Sequence, residues 1–197
     1  MSQSSKPEII ILSTVSAWNL GEQFETTVAK KNEAMREAKI AKQDGDLSEN
    51  APYQAAKDKF RTMGRIQRRL TKEMNVLLKQ GHKLVDPLTW ANEKPINEVE
   101  IGVISVIERW GERDIYLIGG NRDHHVPEEG NVVPIPYSSP LGKALTGHKA
   151  GDYFTVQING RDQEIKVIEV RRPTREEILN VFPQLREDGI GGVDSLA

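Results

Sequence analysis

The chain has no cysteine, which removes disulfides, thiolate nucleophiles and thiolate metal sites together. Aromatic residues make up only 6 % of it. The apolar run Ile9–Leu12 is too short for a membrane span or the core of a signal peptide, and the residues before it are polar. A cytoplasmic protein with no membrane partner is therefore expected. Net charge is −2, which argues against a general nucleic-acid coat. No Gly-rich phosphate loop, dinucleotide fingerprint or Ser-His-Asp order is present. The four histidines, His82, His124, His125 and His148, do not have metal-ligand spacing.

What the chain does have is charge, unevenly spread. Between Lys30 and Lys72 there are twelve bases and six acids, so that segment is +6 and the remainder −8. A solvated helix face accounts for such a run, and so does a local phosphate-facing patch. The segment 21–43 has no proline and is rich in Ala, Glu and Lys, which favours helix. Phe24, Val28, Met35, Ala38 and Ile40 supply a weak apolar stripe on it. Beyond a short turn, Tyr53, Ala56, Phe60, Met63, Ile66, Leu70, Met74 and Leu77 recur at spacings of three and four, a stronger stripe with coiled-coil character. A short connection makes two such helices antiparallel neighbours. Gly81 closes the second, and Pro87 forbids simple continuation.

Past residue 97 the apolar period changes to two. Val99, Ile101, Val103 and Ser105 predict one strand, 114–118 a second and 131–135 a third. Residues 153–158 and 163–170 flank Asn159-Gly160, a strong hairpin turn. Ser139 can cap a short helix with Pro140 in its first turn and Gly147 at its end. Thr174 and Glu177 form a capping box for a further short helix carrying Ile178, Leu179 and Val181. The expected class is α+β, divided into a helical arm at 1–85 with an acidic tip at 44–50, a linker at 86–97, a sheet domain at 98–172 and an extra tail at 173–197.

Asp46 and Glu49 lie in the turn between the two helices. Their spacing fits an N-cap with its box partner, and Asn50 with Pro52 fits a cap equally. It also fits a pair of carboxylates held far from any core they would stabilise, as chemistry delivered into another molecule's cavity requires.

A longer identity separates these readings. Gly45-Asp46-Leu47-Ser48-Glu49-Asn50-Ala51, followed by Tyr53, Ala55-Ala56-Lys57 and Gly64-Arg65-Ile66, resembles the arm-tip signature of the GreA/GreB family of bacterial transcript cleavage factors. Tyr137-Ser138-Ser139-Pro140-Leu141-Gly142-Lys143-Ala144-Leu145, with Gly147 and Gly151-Asp152, resembles the helix-and-turn motif of that family's C-terminal domain. Two motifs in register, over about residues 20–170, make the resemblance specific.

The resemblance implies an N-terminal antiparallel coiled-coil hairpin and a C-terminal FKBP-like antiparallel β domain with one short helix. It implies a monomer that enters the secondary channel of bacterial RNA polymerase and stimulates cleavage of the nascent RNA 3′ end in backtracked complexes. Asp46 and Glu49 would then share a Mg²⁺ with the polymerase active site and activate water. The chain would have no enzymatic activity or cofactor of its own. Asn50 and Tyr53 would support the tip, Lys42 and Lys57 would contact RNA, and Ser138, Ser139 and Pro140 would dock on the polymerase. The alternative is a regulator of the same fold that occupies the channel without promoting cleavage. The chain departs from the family at the opening of the first helix, where Thr-x-x-Gly is not recognisable. It also carries Asp44, Pro52 and Ser138 at positions where other residue types are usual.

Overall fold

The computed structural model describes residues 9–44, 50–92, 94–125, 127, 130–158 and 160–186. They form two compact units, one containing residues 18–81 and the other residues 9–17 and 82–186.

The first unit is a helical pair, α1 (Thr14–Ala41) and α2 (Ala51–Gln80), with a short 3₁₀ turn, Lys42–Asp44, after α1. Its cross-helix contacts fix the direction. Asn50 bonds Ala41, Lys59 bonds Glu33 and Glu37, and Lys31 bonds Gln67. As one number rises the other falls, so the helices are antiparallel. At 1.5 Å per residue the 30 residues of α2 run about 45 Å.

The packed stripe of α2 is the one expected, with Ala56, Leu70 and Leu77 buried and Tyr53, Phe60, Met63 and Met74 half-buried. The stripe of α1 is so only in part, with Phe24, Val28 and Ala38 half-buried. Met35 and Ile40 are 55 % and 66 % exposed, whereas Leu20, Thr27, Ala34 and Ala41 are buried. Leu20, Phe24, Thr27, Lys31, Ala34, Ala38 and Ala41 keep alternating steps of four and three, the seam of a coiled coil built largely from small residues. Small side chains score weakly in a hydrophobic count, yet they let two backbones approach. The carboxylates of Glu33 and Glu37 push the Lys59 ammonium above its ordinary value by accepting hydrogen bonds from it.

The second unit holds two sheets. Strands β1 (Ile10–Ser13) and β2 (His82–Val85) pair in parallel. Neither was expected: Ile9–Leu12 reads as a short apolar run, and His82–Val85 follows a helix stop directly. The larger sheet has strands β3 (Ile104–Arg109), β4 (Glu112–Gly119), β5 (Val132–Pro136), β6 (Tyr153–Ile158) and β7 (Arg161–Arg171) in the order β5-β4-β3-β7-β6. It is antiparallel except at β4–β5. There residues 120–131 cross over, the length of connection a parallel neighbour needs.

Residues 99–103 are not strand, contrary to their alternation. Gly102 turns there with φ +81°, and the Trp90 ring packs on it. The β3–β4 hairpin turns through Trp110 and Gly111, at φ 54° and 81°, the left-handed pair that two-residue hairpins require. Gly160 at φ 76° follows β6; Asn159 lies outside the described residues.

Each sheet face buries a core. On one, Ile104, Val106, Leu117 and Val132 meet Val15, Trp90 and the helix α4 (Arg175–Val181), through Ile178, Val181 and the following Phe182. On the other, Ile107, Ile118, Ile165 and Val167 meet Val99 and Leu145 of the helix α3 (Pro140–Leu145). The helix α4 and Phe182, beyond Pro173, are thus part of a core. Its capping box is present, and Glu177 also accepts two bonds from Arg171, at 2.9 and 2.6 Å.

A Cβ at Gly102 would lie 2.5 Å from the Trp90 ring, on a backbone that L-residues resist. Gly102→Ala should cost about 2–4 kcal/mol in urea unfolding. The Arg171 hydrogen bond holds the Glu177 carboxyl below its ordinary range, against the effect of burial. A lowered folded value stabilises fully above the unfolded value near 4.3 and is lost as pH falls through the folded one. The stability advantage of the wild type over Glu177→Gln should be about 1 kcal/mol at pH 7 for this partly exposed pair and shrink below about pH 4. A pH-independent difference would contradict it.

Candidate functional site

The sequence places Gly45–Glu49 between the 3₁₀ turn that follows α1 and Asn50, the residue that opens α2. Asp46 and Glu49 lie outside the described residues, but both flanks are described. Asn50 caps α2: its Oδ1 accepts from Tyr53 N–H at 2.9 Å, and its own carbonyl accepts from Gln54 N–H at 3.1 Å. Its Nδ2 reaches the other way and donates to the Ala41 carbonyl at 2.5 Å. Pro52 sits in the first turn of α2, where its missing N–H costs nothing.

The two tip-flanking cations differ. Lys57 is half-buried, with its Nζ 5.7 Å from the Tyr53 ring centroid, one helical turn away. Lys42 is exposed in the 3₁₀ turn. The structure therefore brings Asn50, Tyr53 and Lys57 together on the first turns of α2. Further along the same unit, Lys31, Arg61, Arg65 and Arg68 line an open groove around Gly64, with a volume of about 700 Å³. Among the described residues no cluster of His, Cys, Asp or Glu is arranged to hold a metal ion.

Ser138, Ser139 and Pro140 belong to the second unit. Ser139 caps α3, accepting from Gly142 N–H at 3.0 Å, and Pro140 is the first helical residue. Ser138 donates to Asn121 Oδ1 at 2.5 Å, and the Tyr137 hydroxyl accepts from Ile11 N–H at 3.2 Å. This triplet is thus tied to the β4–β5 connection and to β1. Gly142 has no room for a side chain, because a Cβ would lie 2.2 Å from the Pro136 carbonyl oxygen.

Sequence reasoning missed one polar knot. Asp123 is 1 % exposed and accepts from the Ser13 hydroxyl, the Ser16 hydroxyl and Gly120 N–H. Ser13 also accepts from Ser16 N–H at 3.0 Å and so caps α1. Gly119 and Gly120 leave the space, since a Cβ on either would lie within 2.7 Å of Asp123 or Ser13. Ser13-x-x-Ser16 is a visible cap signal; Asp123, more than a hundred residues on, gives none.

Comparison with known proteins agrees on one family. Residues 11–77 match the family described as the N-terminal domain of transcription elongation factor GreA/GreB, and residues 94–172 match its C-terminal domain. Transcription elongation factor GreA of Lachnoclostridium phytofermentans is 32 % identical over 148 residues, covering 74 % of this chain and 84 % of that protein. GreA of Macrococcus caseolyticus is 33 % identical over 144 residues, covering 72 % and 82 %. Among solved structures, GreA factor homolog 1 of Thermus thermophilus is 19 % identical, covering 83 % of this chain and 99 % of that one at a TM-score of 0.33. The expected helical pair and sheet domain with a short helix are both present. The chain belongs to the GreA/GreB family of transcription elongation factors.

Proposed function

We propose that this protein is a transcript cleavage factor that works in the cytoplasm on backtracked RNA polymerase, entering its secondary channel and lending carboxylates to its active centre. The observation that carries the reading is the place of Asp46 and Glu49 in the sequence, at the turn of an antiparallel helical pair about 45 Å long, within the family's tip motif.

Two carboxylates are hard oxygen donors suited to Mg²⁺ but too few to saturate it, so the remaining ligands come from the polymerase, its RNA and water. Asp46 and Glu49 would help hold the ion, which would supply charge stabilisation for the oxygens of a phosphodiester displacement. The ionised carboxylates also orient the attacking water and accept its proton. Lys42 and Lys57 contact phosphates of the displaced 3′ segment, which positions RNA without reading its bases. Tyr53, held by Lys57, supports the first turn of α2. Ser138, Ser139 and Pro140 dock on the polymerase surface.

The location is tested by replacing Mg²⁺ with Fe²⁺ in the polymerase active centre, where hydroxyl radicals cut polypeptide close to the metal. Cuts are expected within residues 42–53. Cuts confined to the second unit, or none, would overturn the reading.

A further inference from the structure

We infer that Asn50 is a clasp that joins the two helices across the base of the tip, and so acts as a positioning residue for the tip carboxylates rather than as a helix cap alone. This rests on the function proposed above. An N-cap needs one acceptor, and the Asn50 Oδ1 supplies it to Tyr53 N–H. The Nδ2 is not needed for capping. It donates to the Ala41 carbonyl, in the last turn of α1, and so bonds across the pair rather than along its own helix. The same residue receives the first α2 hydrogen bond on its own carbonyl, from Gln54.

One planar amide therefore links the C-terminal end of α1 to the N-terminal end of α2. The residues behind it close the seam tightly, with Ala34, Ala41 and Ala56 all buried. In the sequence Gly45–Glu49 lie between the 3₁₀ turn that follows α1 and Asn50, so the clasp holds together the two helix ends that flank them.

Chemistry distinguishes the clasp from the cap. Ser and Asp are as good N-caps as Asn, but Asp has no donor for the Ala41 carbonyl, and the shorter Ser offers one oxygen where the amide uses two separate polar atoms, Oδ1 and Nδ2. Asp would also set two acceptors against each other. A cap predicts that Asn50→Ser and Asn50→Asp behave as wild type. The clasp predicts that both fail.

The absence of native cysteine allows the test in the free protein. Spin labels at Lys39→Cys and Ala55→Cys, both exposed sites, should give a narrow distance distribution in the parent and a broadened one in Asn50→Ser and Asn50→Asp. With backtracked polymerase, both variants should lower the cleavage rate at saturating factor by about 10- to 100-fold, with half-saturation unchanged. Narrow distances and full rates in both variants would overturn the clasp. A parent protein that binds polymerase but does not stimulate cleavage would overturn the proposed function instead, while the distance measurement still decides the clasp.

Discussion

Replacing Asp46 and Glu49 together by alanine should lower stimulated transcript cleavage by at least about a hundredfold, while affinity for RNA polymerase changes little. On the proposed function these carboxylates would act on water and metal at the reacting phosphodiester, where each interaction is worth most in the transition state. On the same reading, binding would be spread over the long helical pair and the second unit, which the change leaves alone. Either single alanine should lose nearly as much as the pair, because groups that share one ion and one water act as a unit. Unchanged thermal unfolding of the variant assigns the loss to chemistry. A double variant that cleaves at the parent rate would remove these residues from the mechanism.

The second large effect concerns stability. Asp123→Ala should destabilise the second unit by about 3–5 kcal/mol in urea unfolding. The substitution leaves three buried donors, the Ser13 and Ser16 hydroxyls and Gly120 N–H, without their acceptor. It also frees the space that Gly119 leaves for the Asp123 side chain. Asp123→Asn keeps one oxygen and should cost less, about 1–2 kcal/mol, since its NH₂ group must face a donor. A variant Asp123→Ala as stable as the parent would mean that these hydroxyls find other partners at no cost.

Legibility followed the range of the interactions. The stripe of α2 could be read because its residues are large and pack within one helix period. The stripe of α1 was read only in part: Phe24 and Ala38 lie on its seam, but the small residues Thr27, Ala34 and Ala41 that complete it give a weak signal, and Met35 and Ile40 face solvent. The hydroxyl caps at Ser139 and Thr174 were legible, being local spacings that local hydrogen bonds satisfy. The turn at Gly102 was hidden by alternation. What decides it is the distant Trp90 ring, which fills the space a side chain would need. Strands β1 and β2 were invisible for the same reason, since each is four residues long and exists only by pairing across seventy positions of sequence.

At the candidate site the motif supplied the chemistry and the structure supplied its frame. Tyr53 and Lys57 were foreseen as neighbours of the tip, and their ring–cation contact agrees with their spacing. The second bond of Asn50 was not foreseen, because nothing in the sequence brings Ala41 to it.

The measurement that tests the central claim most directly is cleavage of 5′-labelled RNA in backtracked transcription complexes, with Mg²⁺, with and without this protein. Shortened transcripts should appear faster with the protein, extend again when nucleotides are added, and never form from free RNA with the protein alone. Polymerase that binds the protein and yet cleaves its transcript no faster would contradict it, and would leave a channel-occupying regulator on the same fold.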